Sequence, residues 1–154
     1  MNDPFRLRRF AIAQEEGRTY AAAVCELRAG RKVSHWMWFV FPQISGLGRS
    51  SMSRTYAITS LAEAEAYLQH PVLGSRLIEC TRILTEVAGR TAENIFGATD
   101  AMKLRSSMTL FARVAPDSAV FQQVLNDYFD GVGDAATEHH LERAEQAGGA
   151  DRVR

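Results

Sequence analysis

Pro71-Val72-Leu73-Gly74-Ser75-Arg76-Leu77-Ile78-Glu79-Cys80-Thr81-Arg82-Ile83-Leu84-Thr85-Glu86-Val87-Ala88-Gly89 is the stretch that decides the fold class. Leu73, Leu77, Cys80, Leu84 and Val87 recur at alternating steps of four and three, the spacing of a helix buried along one side. A proline opens the run and a glycine closes it, the usual asymmetry of helix ends. Working outward, the same signs recur. Ser60-Leu61-Ala62-Glu63 reads as a capping box, serine on a forward amide and glutamate reaching back. Asp3-Pro4 reads as an N-cap with proline at the first helical position, on a helix that Gly17 stops. Tyr20, Val24 and Leu27 continue the helical spacing up to Gly30, and Asp100 can cap a helix carrying Leu104, Met108 and Phe111 inward. Asp117 or Ser118 caps the next, and Thr137 begins a last one. The segments are short, roughly 10–15 residues, and broken by glycine and proline. That pattern predicts an all-α, single-domain, irregular orthogonal helix bundle over residues 1–145, with a small, polar, flexible tail over 146–154.

Composition narrows the function classes. A 154-residue chain with 46% hydrophobic and 23% charged residues is an ordinary globular domain. Its formal net charge is zero, so no overall field draws it to nucleic acid, and direct nucleic-acid binding is not expected. The basic stretches Arg6, Arg8, Arg9 and Arg28, Arg31, Lys32 read as solvated helix faces. No run is apolar enough for a membrane span, and the start has no signal-peptide core, which points to the cytoplasm. Cys25 and Cys80 sit alone in helical patterns and read as reduced, buried thiols; neither has a metal-ligand spacing. Neither metal nor cofactor is called for.

The densest aromatic stretch is Ser34-His35-Trp36-Met37-Trp38-Phe39-Val40-Phe41-Pro42-Gln43, which holds both tryptophans of the chain. Rings with a polar group at either end suit a pocket wall, although aromatic runs also fill cores. If the stretch is helical, Trp36 and Trp38 point about 200° apart, and one belongs to a pocket and the other to the core. Gly46-Leu47-Gly48-Arg49-Ser50-Ser51-Met52-Ser53-Arg54 holds the amides, hydroxyls and arginines of an anion cradle, but no Walker spacing. Asp100, Lys103 and Ser107 share one helix face, where carboxylate, ammonium and hydroxyl can meet one ligand or simply form a cap with an ion pair. Of the 18 basic residues only Lys32 and Lys103 are lysines. A site lysine suits phosphate as a point charge or acts as a nucleophilic amine. His35 can bond a base or phosphate, or be a core-edge histidine satisfied by a backbone carbonyl; His70 reads as a helix-end residue facing the preceding carbonyls, and His139-His140 as solvent-exposed.

The chain also resembles a known family. The blocks that carry the likeness include Asp3-Pro4-Phe5 with Phe10 and Gln14, His35-Trp36-Met37-Trp38-Phe39, Phe41-Pro42-Gln43, Gly46-Leu47-Gly48 and Tyr56-Ala57-Ile58. They continue through Ala66-Tyr67-Leu68, His70-Pro71-Val72-Leu73-Gly74, Ile95-Phe96-Gly97, Asp100, Lys103-Leu104 and Ser106-Ser107-Met108-Thr109-Leu110-Phe111. Together they resemble a bacterial and plant domain of unknown function, often mislabelled "calpastatin", which is distantly similar to the YbiA/NADAR group of small all-α N-glycosidases. That likeness implies a YbiA-like fold and an N-glycosidic-bond hydrolase acting on a nucleotide- or ribose-phosphate-like molecule or an ADP-ribose conjugate. The glutamate-bearing helix motif of that group has no counterpart here, and no catalytic residue is carried over. Lys103, His35 and Asp100 are the candidate catalytic groups. Trp36, Trp38 and Tyr56 would contact a base, Arg49, Arg54 and Lys103 a phosphate, and His35 and Gln43 would orient the ligand, with Ser107 a further ligand-binding candidate. A non-catalytic ligand-binding or protein-interaction domain is the alternative.

Overall fold

In the computed structural model, which describes residues 3–87 and 89–143, helices supply the regular structure, and the nearest approach to a sheet is one parallel bridge between Ile44 and Ile58. The helices are α1 (Arg8–Glu15), α2 (Thr19–Arg28), α3 (Met37–Val40), α4 (Ser51–Thr55), α5 (Leu61–Gln69), α6 (Leu73–Glu86), α7 (Ala92–Val114), α8 (Ala119–Phe129) and α9 over 135–143. The predicted all-α class holds. A flexible tail over 146–154 lies outside the described residues.

The stripe of α6 makes the core. Leu73, Leu77, Cys80 and Leu84 are fully buried and face Leu104, Met108 and Phe111 of α7 and Phe121 and Val124 of α8 in one continuous apolar cluster. At about 25 cal/mol per Å² of apolar surface, each such side chain stabilises the fold by roughly 1.5–3 kcal/mol. The long α7 runs through this core and is packed on by α3, α5 and α8. It is bent at Gly97, whose φ of 80° and ψ of 163° belong to a region open only to glycine. The bend separates a first turn, capped by a Thr91–Asn94 capping box, from the segment that carries Asp100 to Ser107.

Several local expectations are corrected by tertiary partners. Asp3 caps α1 from outside: its carboxylate accepts the amides of Leu7 and Arg8, and the helix starts at Arg8 rather than Pro4. Glu63 does not reach the Ser60 amide. Its Oε1 accepts from the amide and hydroxyl of Thr59, and Oε2 pairs with Arg9 at 2.8 Å, so Arg9 is no solvated-face residue. His70 faces forward, its Nδ1 accepting the amides of Val72 and Leu73 at the start of α6. Asp100 lies inside α7, and Asp134 rather than Thr137 caps α9 by accepting the Thr137 amide. Within the stretch Gly46–Arg54, the residues after Ser50 begin α4, which Ser50 caps. Cys25 is exposed; only Cys80 is buried, where the loss of solvent pushes its thiol up to about 12. Among the described residues no helix is long and apolar enough to cross a membrane, and no cluster of His, Cys, Asp and Glu is fit to hold a metal.

Candidate functional site

The four-residue helix α3 decides which tryptophan reaches the surface. Trp36 sits at its N-cap position and is fully buried against Phe41 and Phe96, its indole Nε1 donating to Glu26 at 3.0 Å. Trp38, two residues on, points the other way onto a cleft. This divergence follows from helical geometry, since two residues along a helix is about 200°.

The cleft has a volume of 380 Å³ and lies between α3, the loop leading into α4, α7 and the approach to α9. Its lining includes Trp38, Gln43, Leu47, Gly48, Arg49, Ser50, Ser53, Thr99, Met102, Lys103, Ser106 and Asp134. The size is that of a small-molecule site, and apolar walls with a few convergent polar groups are the usual make-up of one. A larger cleft of 700 Å³ lies near the N-terminal segment, lined by Asp3, Arg8 and His70 among apolar residues, but the Asp3 carboxylate and His70 Nδ1 are already bonded to backbone amides as helix caps.

Lys103 is the centre of this arrangement. Its Nζ lies 4.4 Å from the centroid of the Trp38 ring and 3.1 Å from Asp100 Oδ1. Asp100 Oδ2 is held by the Lys32 ammonium at 2.9 Å. Burial works against the charge on Asp100, yet hydrogen bonds and charge from the two lysines outweigh it and hold its carboxyl below the ordinary value. Lys32 in turn donates to the Ser34 carbonyl and lies 5.0 Å from the centroid of Trp36. The chain's two lysines therefore share one carboxylate, and each lies over one of its two tryptophans.

Of the residues expected from sequence to form a site, Trp38, Gln43, Arg49 and Lys103 line this cleft. Asp100 stands behind Lys103 as its counter-ion. The others lie elsewhere. Trp36 is core. His35 is exposed away from the lining. Arg54 is exposed on α4, and the Tyr56 ring is packed between Phe10 and Phe39 at 5.7 and 4.7 Å. Ser107, one turn beyond Lys103, is fully buried, and its hydroxyl has no hydrogen-bond partner; the same is true of the Trp38 indole nitrogen. Asp134 is the cleft-lining carboxylate that the sequence did not single out. Its carboxylate caps α9 through Oδ2 and at the same time borders the cleft. The spacing Asp134-Ala135-Ala136-Thr137 after Gly133 is the signal that marks it, and it reads only as a cap.

Residues 4–141 match the family DUF1810, described as a protein of unknown function, and the chain belongs to that family. A solved structure, that of the conserved hypothetical protein Rv1873 from Mycobacterium tuberculosis, is 52% identical, covers 91% of this chain and 99% of its own, and superposes with a TM-score of 0.88. No curated protein matches the chain.

Proposed function

We propose that this member of the DUF1810 family uses the Trp38–Lys103 cleft to bind a nucleotide- or ribose-phosphate-like molecule, or an ADP-ribose conjugate, and to cleave its N-glycosidic bond. The reaction class is taken from the distant similarity of this kind of domain to the YbiA/NADAR group. The observation that carries the assignment to this cleft is a partly sheltered ammonium, Lys103, on the same wall system as one carboxylate, Asp134. Lys103 and Arg49 would hold the phosphate, and Gln43, Ser50 and Ser53 would bond to sugar hydroxyls. Asp134 would take a proton from the attacking water. The C1′–N bond breaks with its electron pair passing to the base nitrogen, the water oxygen adds to C1′, and the base nitrogen gains a proton; one water is consumed overall. Negative charge on Asp134 would also favour the oxocarbenium-like transition state.

Asp134 is the single acidic side chain among the cleft's described lining residues. That favours a second reading, a sensor that binds the same ligand without turnover, because two-carboxylate hydrolysis needs a separate acid. A thermal-shift screen over ribose phosphates, ADP-ribose and nucleotides, with mass spectrometry for released base, tests both. A ligand at 100 times its Kd adds about 2.7 kcal/mol. Stabilisation with base release establishes the hydrolase, stabilisation alone the sensor, and no shift across the panel overturns the cleft assignment.

A further inference from the structure

Building on the reading of the cleft as an anion site, we propose that Lys32 and Asp100, neither of which lines it, set the charge with which Lys103 meets an oxyanion, so that the ligand is a phosphate monoester rather than a neutral nucleoside. Two ammonium groups divide one carboxylate: Lys32 takes Oδ2 at 2.9 Å and Lys103 takes Oδ1 at 3.1 Å. The group carries a net charge of +1. Its side chains are only 7%, 21% and 22% exposed for Lys32, Asp100 and Lys103, so water screens that charge less than it would at an open surface.

Lys32 is fixed independently of Asp100. Its ammonium also bonds the Ser34 carbonyl at 2.6 Å and faces the Trp36 ring, and Trp36 is anchored in the core and to Glu26. Lys32 therefore holds one oxygen of Asp100, and the carboxylate does not turn both oxygens to Lys103. The choice of lysine fits this division. In a chain whose other basic residues are all arginines, these two positions carry the side chain that cannot form a bidentate fork. At position 103 an ammonium bonds the one oxygen of Asp100 that Lys32 leaves open and keeps its other two N–H donors for a ligand. The Trp38 face is already occupied by the Lys103 amine, which leaves that surface to an anion drawn by the amine rather than to a stacked base.

The test is calorimetric titration of the full chain with inorganic phosphate and ribose 5-phosphate, with adenosine as the neutral control. Lys32→Gln weakens phosphate binding about tenfold although it touches no ligand, and Lys32→Arg restores it. Asp100→Asn moves the other way: it removes two ion pairs yet tightens phosphate binding several-fold, a change of sign that a purely structural role does not produce. If Lys32→Gln fails to fold, the sign of the Asp100→Asn effect decides. Binding of ribose 5-phosphate that is lost in Lys103→Ala but unmoved by Lys32→Gln, or weakened by Asp100→Asn, overturns this inference and leaves the cleft reading intact. Failure of the parent chain to bind either phosphate probe, or adenosine binding as tightly as they do, overturns the anion site itself.

Discussion

Lys103 and Asp134 each have a structural duty that can be separated from a chemical one by the choice of substitution. Lys103 forms a partly buried ion pair three residues along one helix, an interaction worth roughly 1 kcal/mol. Lys103→Ala is expected to abolish ligand binding while shifting the thermal midpoint only slightly, as calorimetry on the same samples will show; a large loss of stability with binding intact would make the lysine a structural residue. Asp134 caps α9, and asparagine caps nearly as well as aspartate but cannot accept a proton. Asp134→Asn should therefore keep both fold and ligand affinity and lose base release, whereas Asp134→Ala should in addition cost about 1 kcal/mol of stability. Equal turnover in the parent and the asparagine variant would remove Asp134 from the chemistry.

At the scale of elements, what could be read from the chain and what could not divide along the range of the interactions. The α6 stripe is local, and its period is visible in the sequence; so are the breaks at Gly17 and Gly97. The divergence of Trp36 and Trp38 was readable for the same reason, because one helical turn determines it. Which of the two would meet solvent was not, since that depends on Phe96, 60 positions away, closing over Trp36. Glu63 and Arg9 misled because their partners lie 54 residues apart, and Asp134 stayed hidden because a capping aspartate looks the same whether or not a cleft opens beside it. Helix contact also makes a demand no periodicity reveals. At Gly74, the start of α6 passes so close to α5 that an added Cβ would stand 1.9 Å from the Leu68 carbonyl oxygen. Gly74→Ala should cost about 3 kcal/mol by forcing these helices apart, measurable as a lower urea midpoint. An unchanged midpoint would mean that the α5–α6 turn yields freely.

For the whole molecule, acid is the informative variable. Burial disfavours the charge on Glu26, but donors from Ser34, Val33 and Trp36 outweigh it and bring the carboxyl down to about 2 from an ordinary 4.5. A carboxyl depressed by folding stabilises the native state above its unfolded value and loses that contribution as pH falls through the folded one. Glu26, with Asp100 acting in the same direction, should therefore make stability fall between about pH 4.5 and pH 2. Glu26→Gln should flatten that limb of the acid-unfolding curve and lower stability at neutral pH; an unchanged slope would show that the hydrogen-bonded cluster around residues 26–36 does not control acid stability. The scarcity of lysine has a practical reach of its own. Lys32 is almost sealed from solvent, so Lys103 is the side-chain amine that an acylating reagent or an activated-ester dye can reach. Aside from the α-amine, covalent tagging of the folded chain then falls on one position at the mouth of the cleft, and the chain carries a built-in handle at the place where a reporter of occupancy is most useful.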